Sequence, residues 1–463
     1  MREVDRLPES GVSFYTLGCK LNQLETESVA GAFRAAGFEV LPWESRRRAS
    51  LILINTCTVT SKAEQKARRL IRLALRENGA PLIVTGCYAQ LEAAVLAALR
   101  TGHGNGRRLF VVPGAEKDRL LDLPRFLAGA PFTEDTAPAM LEKWLGLQSE
   151  GGADGSFRFS PADFSFHTRP FLKIQDGCDR RCAYCRVPLA RGGSRSLAAP
   201  EVLARLTALE SQGAAETVLT GVNIAQYRCP QSGRDLGELL AFLLDNTTGI
   251  AIRLSSIEPE PGILNGAFKK ALSHPRLRPH FHLSLQSGSA AVLAAMYRPY
   301  GPEQVRESIA ALRTAKCDPF LACDIICGFP GETEEDFGQT YRLCEETGFA
   351  WIHGFPFSPR PGTAAFSRKN RVSERETESR LERLLELSQA GRNAYAARWV
   401  GKTVDAVALD SGLLTANYLR ISVPSGGESP ALPPGGAFRC HIIQALDSRC
   451  FDAAGEIVVE TAS

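Results

Sequence analysis

The chain has 463 residues, 44% hydrophobic and 23% charged, with a formal net charge of +3. That length supports roughly three domains with cores that need no disulfide staples. The balanced charge excludes a histone-like polycation, so any nucleic-acid contact must come from local patches. No apolar run approaches the ~18–20 residues of a membrane span. The segment from Met1 to Arg6 carries acids and lacks a secretory apolar stretch. The expected location is therefore cytoplasmic, and there 13 cysteines are an anomaly. A reducing compartment disfavours disulfides and leaves thiols as small buried hydrophobes or metal ligands.

In chain order, Val12–Leu17, Leu51–Ile54 and Leu82–Val84 are short apolar runs that read as buried strands. Helical stretches follow them. The clearest, Ser61–Glu77, opens with a capping-box pattern of Ser61 and Glu64. Strand alternating with helix predicts a parallel α/β domain over residues 11–130. Residues 131–168 are expected to be a linker, with the Gly- and Ser-containing stretch 150–168 flexible. Six strand-like runs follow within 169–397: Phe171–Gln175, Thr217–Leu219, Ile252–Ser255, Phe281–Leu285, Phe320–Ile326 and Trp351–Phe357. Helical stretches fall between them, among them Pro200–Gln212, Gly301–Lys316 and Glu334–Thr347. Six repeats fall short of an eightfold barrel and predict an open, partial (β/α)6 barrel. A charged helix, Ser373–Arg398, closes the region. Residues 398–463 lack helical periodicity. Their β-type runs, Thr403–Leu409, Tyr418–Val423, Ala437–Gln444 and Glu456–Glu460, are separated by turns such as Pro424–Gly427 and predict a small all-β, OB-like barrel.

Two cysteine sets stand out. Cys178, Cys182 and Cys185 lie within eight residues, directly after the first barrel strand. Three thiolates cannot complete a tetrahedral zinc site alone. On a 4Fe–4S cluster they would leave one iron open to a ligand. A zinc knuckle borrowing a fourth ligand is the alternative. Cys19, Cys57 and Cys87 each follow one predicted strand of the first domain. Ligands of parallel α/β sheets bind outside the carboxyl ends of the strands, so these three can converge, although buried structural cysteine is an equal reading of the residues alone. The other seven cysteines have no ligand spacing.

The motif Gly177-Cys178-x3-Cys182-x2-Cys185 resembles the cluster motif of radical S-adenosylmethionine (radical SAM) enzymes. The segments around Thr16–Gln23, Asn55–Thr60 and Gly86–Gln90 resemble the N-terminal domain of the methylthiotransferases. So do Leu283–Ser289, Asp324–Thr333 and Phe357–Thr363. Lys20, Asn22, Glu25 and Thr26 resemble the branch that acts on threonylcarbamoyladenosine of tRNA (the MtaB type). The branches acting on isopentenyladenosine of tRNA, or on an aspartate of a ribosomal protein, are alternatives. A non-catalytic zinc-stabilised RNA-binding protein is a more distant one.

The resemblance implies two 4Fe–4S clusters, one on Cys178, Cys182 and Cys185 and an auxiliary one on Cys19, Cys57 and Cys87, the two facing one cavity. It also implies S-adenosylmethionine (SAM) as radical source and methyl donor. Candidate SAM contacts are Tyr184, Gly221, Asn223, Ser255, Glu258, Gln286 and Asp324; ordinary strand-end polar groups are the alternative. The glycines of Gly328–Gly331 are expected to permit close approach of the adenosine, or else to form only a tight turn. Implied partners are the tRNA anticodon stem-loop and an electron donor such as flavodoxin or ferredoxin, with no membrane. Lys62, Lys66, Arg69, Arg72 and Arg76 form one helix stripe suited to phosphates. Arg46–Arg48, and the group Arg180, Arg181, Arg186, Arg191 and Arg195, are further basic patches. The C-terminal barrel resembles the TRAM RNA-binding module, with Tyr418 a candidate base-stacking residue. Yet residues 398–463 hold five Lys/Arg against seven Asp/Glu, a net of −2.

Overall fold

The computed structural model describes residues 11–77, 79–102, 108–129, 132, 136–147, 155–161, 166, 168–259, 265–423, 435–448 and 450–458. Two compact units divide the chain: residues 1–166 with 176–180 and 185–193, and residues 167–175, 181–184 and 194–463.

The first unit runs β1 (Gly11–Thr16), α1 (Lys20–Ala35), β2 (Glu39–Leu41), β3 (Leu51–Thr56), α2 (Ser61–Glu77), β4 (Leu82–Gly86), α3 (Cys87–Leu91), α4 (Ala93–Gly102), β5 (Leu109–Val111), α5 (Leu123–Leu127) and α6 (Ala137–Gly146), with α7 (Val187–Arg191) joining it. Its sheet is parallel throughout, in the order β2-β1-β3-β4-β5. The three strands expected from apolar runs are its centre, with Leu51–Ile54 almost wholly buried. The edge strands β2 and β5 have only three residues each, too few for a pattern to show. Two local expectations are corrected. Thr60 caps α2 in place of the expected Ser61, its Oγ1 accepting from the Ala63 amide (3.1 Å), and Glu64 accepts from Thr58. Within the expected linker, α6 is a helix with Leu141 and Trp144 buried, and Phe157 and Phe159 are buried too. Residues 131, 133–135, 148–154, 162–165 and 167 of that stretch lie outside the described residues.

The second unit begins with β6 (Phe171–Lys173); the short strand β7 (Gln175–Asp176) crosses the division between units. It continues through β8 (Arg195–Ser196), α8 (Ala199–Ser211), β9 (Glu216–Thr220), α9 (Leu236–Asp245), β10 (Ala251–Leu254), α10 (Gly266–Leu272), β11 (His280–Gln286), α11 (Ala290–Ala295), α12 (Pro302–Ala315), β12 (Phe320–Cys327), α13 (Glu334–Thr347), β13 (Trp351–Pro356) and α14 (Glu374–Ala397). The sheets β10-β9-β6 and β11-β12-β13 are parallel. The Ser284 amide donates to Ile257 O and the Ile257 amide to His282 O, both at 2.9 Å, and these bonds join the sheets. The result is the expected partial (β/α)6 barrel. Reciprocal capping boxes start three of its helices: Asp235 with Glu238, Thr333 with Asp336, and Ser373 with Glu376.

The chain ends in β14 (Thr403–Leu409), β15 (Gly412–Thr415), β16 (Arg420–Ser422), β17 (Ala437–Ala445) and β18 (Ala453–Val458), a closed barrel in the order β14-β15-β16-β18-β17. Its core is continuous with Phe320 and Tyr395 of the preceding barrel region. Tyr418 is in a turn, at a φ of 71°, rather than in the expected strand. Its ring stacks on His280 at 3.8 Å and lies 5.1 Å from the Arg253 guanidinium. One face of the ring is thus covered by His280. The turn Pro424–Gly427 and residues 459–463 lie outside the described residues.

Candidate active site

In the first unit, Cys19, Cys57 and Cys87 follow the carboxyl ends of three adjacent strands, β1, β3 and β4. Register brings those ends level: Thr16 pairs with Asn55, and Thr56 with Gly86. Two asparagines of the same motifs tie them together. Asn22 Nδ2 donates to Leu17 O (2.7 Å) and Thr56 O (3.1 Å), and Asn55 Nδ2 donates to Asn22 O (2.9 Å). Glycine precedes Cys19 and Cys87, at φ of 110° and 100°. A Cβ on Gly18 would lie 2.8 Å from Cys57 Cβ and 3.1 Å from its Sγ; one on Gly86 would lie 2.3 Å from Thr56 O. Only glycine allows this approach. Burial pushes the Cys57 thiol up to about 12, and the nearby Cys19 and Cys87 add to the rise. A metal binding there must displace that proton.

A buried ionic network supports this end of the unit. Arg191 Nη1 lies 2.9 Å from Glu25 Oε1 and 3.0 Å from Asp176 Oδ1, its Nη2 donates to Asn22 Oδ1 (2.8 Å), and Lys117 Nζ meets Glu25 Oε2 at 2.5 Å. Arg186 pairs with Glu64 (3.2 Å) and Glu92 (2.9 Å). Arg186 and Arg191 are thereby withdrawn from the expected phosphate-binding group; Glu25 is a member of this ionic network, and Thr26 Oγ1 accepts from Thr16 Oγ1 at 2.9 Å.

Of the second cysteine set, Cys178 and Cys185 belong to the first unit and Cys182 to the second. Gly177, at a φ of 70°, precedes Cys178, and a Cβ there would lie 1.9 Å from Gly193 O. The Val187 amide points at Cys185 Sγ (3.4 Å), as the Val59 amide does at Cys57 Sγ (3.5 Å). Both sets thus present a thiol two residues before an amide aimed at its sulfur. Cys182 is buried and receives Arg298 Nη1 at 3.3 Å.

The barrel's strand ends carry the remaining candidates. Asn223 and Ser255 are buried, and Asn223 Oδ1 and Ser255 Oγ have no hydrogen-bond partner among the described residues. Orphaned buried acceptors and donors are costly unless a ligand meets them, so these two fit a polar ligand such as SAM. Gly221 leaves no room for a side chain: a Cβ would lie 2.8 Å from Gln175 Oε1. Gln286 adopts a φ of 72°. Tyr184 packs beside Ala183, Met296 and Phe329. Glu258 Oε1 pairs with Arg298 Nη1 at 2.9 Å, and Asp324 Oδ1 lies 2.9 Å from His282 Nε2 and 3.5 Å from His353 Nδ1. Burial would raise Asp324, but these histidines hold it at about 2. The space beside Gly328 is filled by Thr377, 2.3 Å from an added Cβ, and that beside Gly331 by Asn370 at 2.7 Å. Thr377 lies on α14, and Asn370 lies just before it. Arg298 and His282 were absent from the sequence candidates for these sites, and Arg191 was expected only to meet phosphates. Each lies outside a cysteine spacing or strand-end pattern that could have pointed to it.

Among the described residues, no group of three or more His, Cys, Asp or Glu is gathered closely enough to hold a metal ion. The donor set is soft thiolate, three in each motif, which is the ligand chemistry of iron–sulfur clusters rather than of hard cations. Among the described residues no helix is long and apolar enough to cross a membrane.

Fold and cysteine motif together define a radical SAM protein with an added N-terminal domain. Residues 172–344 match the Radical SAM superfamily, and residues 11–103 match the group described as Uncharacterized protein family UPF0004. The radical SAM methyltransferase TsrM of Kitasatospora setae, solved with cobalamin and a [4Fe-4S] cluster, has a similar fold, with a TM-score of 0.50 and 14% identity over 77% of this chain and 74% of that one. The threonylcarbamoyladenosine tRNA methylthiotransferase MtaB of Treponema pallidum is 40% identical, over 90% of this chain and 95% of that protein. The protein of the same name from Aquifex aeolicus is 34% identical, over 89% and 96%. The tRNA-2-methylthio-N(6)-dimethylallyladenosine synthase of Anaplasma marginale is 33% identical, over 85% and 83%. The chain belongs to the radical SAM methylthiotransferase family.

Proposed function

We propose that this enzyme inserts a methylthio group at C2 of N6-threonylcarbamoyladenosine at position 37 of tRNA, in the cytoplasm. The observation that carries the substrate is the 40% identity, over nearly the whole of both chains, to a relative named for that nucleoside. Cys178, Cys182 and Cys185 would hold one 4Fe–4S cluster, and Cys19, Cys57 and Cys87 a second. Bound there, the clusters supply one-electron cleavage of SAM to a 5′-deoxyadenosyl radical and the sulfur for transfer. Asn223 and Ser255 would bind SAM through their unpartnered polar atoms, and Tyr184 would flank it. Gly18, Gly86 and Gly177 keep the thiol loops free of side chains, and the Val59 and Val187 amides orient two sulfurs. The electron enters from a low-potential carrier of the flavodoxin or ferredoxin class.

The tRNA would be captured by α2. Lys62, Lys66, Arg69, Arg72 and Arg76 are all exposed, while Ala67, Leu70, Ile71, Ala74 and Leu75 face the core. The helix's two acids are occupied, Glu64 by Arg186 and Glu77 by Arg46 (2.5 Å) and Arg47 (3.0 Å), so the stripe keeps its positive charge. The net −2 of residues 398–463 leaves the C-terminal barrel poorly suited to that role.

A second reading, action on dimethylallyladenosine, draws on the 33% identical relative of that name. Anaerobically reconstituted protein incubated with tRNA bearing either nucleoside, followed by digestion and mass analysis, separates the two. Product from the threonylcarbamoyl substrate supports the first; product only from dimethylallyladenosine supports the second.

A further inference from the structure

One buried arginine touches a cluster cysteine of the radical SAM motif and a carboxylate at once. The Arg298 side chain is only 4% exposed. Its Nη1 is 3.3 Å from Cys182 Sγ and 2.9 Å from Glu258 Oε1. Its Nη2 donates to Ser284 O on β11 (2.6 Å) and its Nε to Tyr300 Oη (2.8 Å). Tyr300 in turn donates to Ser284 O (2.7 Å). The Cys182 loop is fixed against the same region, because the Ala183 amide donates to Met296 O (3.0 Å) and the Ala365 amide to Ala183 O (2.7 Å). The guanidinium is therefore locked by four partners, and its contact with the sulfur has little freedom to drift.

We propose that Arg298 and Glu258 form a charge pair that sets the reduction potential of the cluster held through Cys182, with Arg298 raising it and Glu258 lowering it. The inference rests on the reading of Cys182 as a cluster ligand. Hydrogen bonds and net charge at the cluster sulfurs are the levers by which a protein tunes such a potential. One-electron reduction moves an electron from an external low-potential carrier to the cluster and adds a negative charge. A guanidinium hydrogen-bonded to a thiolate sulfur stabilises that more negative state. The Glu258 carboxylate 2.9 Å away opposes it and partly neutralises the arginine. Arg298 is a positioning and tuning residue: it acts through Cys182. Glu258, nominated from sequence as a SAM contact, has this pairing as its role.

The test is an anaerobic potentiometric titration of reconstituted, full-length enzyme, following by electron paramagnetic resonance the reduced-cluster signal that changes on adding SAM. Arg298→Gln is expected to lower the reduced-to-oxidised ratio at a fixed potential about tenfold, a shift of about 59 mV for one electron. Glu258→Gln is expected to shift the potential in the opposite direction. Arg298→Lys, which keeps the charge without the planar fork, should fall between wild type and Arg298→Gln. Iron content and thermal midpoint identify any variant that fails to fold. Unchanged potentials in both folded glutamine variants, or shifts of the same sign, would overturn the proposal. A SAM-responsive signal that survives Cys182→Ala would instead overturn the ligand reading beneath it. Neither outcome depends on which nucleoside is modified.

Discussion

Gly18 and Cys57 approach so closely across the ends of β1 and β3 that a methyl group on the glycine would sit 3.1 Å from the cysteine's sulfur. The φ of 110° at Gly18 makes any side chain there strained as well. Gly18→Ala should therefore disturb the auxiliary thiol set and leave the Cys178–Cys185 motif intact. Iron analysis after anaerobic reconstitution should fall from ~8 to ~4 per chain, while reductive cleavage of SAM persists and methylthio product is lost. Full iron content in the variant would contradict the placement of a cluster at these thiols.

Arg191 bridges Glu25 and Asp176 in a nearly dry setting. Removing one partner of a buried ion pair leaves an uncompensated charge, typically a loss of ~3–5 kcal/mol. Arg191→Met should lower the unfolding free energy of the full-length protein, read from urea titration, by that order, and adding Asp176→Asn should recover part of the loss, because Glu25 keeps Lys117 as a partner. A change under ~1 kcal/mol would mean that the network is solvated.

Glu216 lies between Arg253 (2.7 Å), Arg278 (3.0 Å) and Arg169 (3.1 Å), and Arg253 Nη2 reaches Thr415 O of the C-terminal barrel at 3.3 Å. Burial would raise the Glu216 carboxyl, but the arginines, Arg253 foremost, hold it at about 2. A depressed folded value contributes stability above the unfolded value near ~4.3, and that stability is lost as the pH falls toward the folded one. Its contribution is of the order of 3 kcal/mol. Acid unfolding between pH ~5 and ~2 should therefore be flatter in Glu216→Gln than in wild type. An identical acid limb would remove Glu216 as its source.

The α2 stripe makes a quantitative claim on RNA. Each phosphate neutralised contributes roughly 0.7–0.9 to the slope of log affinity against log salt. Charge reversal of Lys66, Arg69 and Arg72, all exposed, should weaken tRNA binding and reduce that slope by about 2–3. A weaker complex with an unchanged slope, or unchanged binding, would place capture elsewhere. Deleting the residues after Arg398 is the complementary test of the acidic barrel.

Much of this architecture was legible in the residues. The apolar runs located the central strands of the three parallel sheets to within one or two positions, because buried strands leave continuous hydrophobic signatures. Glu334–Thr347 was legible as a helical stretch, and Thr333 and Asp336 cap it. The shortest strands, β2 and β5, carry too few residues for a pattern. Arg298 and Arg191 were hidden for another reason. Their partners lie 116 and 166 residues away in the chain, at Cys182 and Glu25, and no local spacing encodes such a meeting. Tyr418 looked like an RNA platform because aromatic residues on a small barrel so often are; its packing against His280 is a tertiary fact.

The most direct test is nucleoside analysis of tRNA from a strain lacking this protein, complemented by wild type or by Cys87→Ala. The account predicts that N6-threonylcarbamoyladenosine accumulates without its 2-methylthio derivative, that wild type restores the derivative, and that Cys87→Ala does not. Normal levels of the derivative in the deletion strain, or restoration by Cys87→Ala, would contradict it.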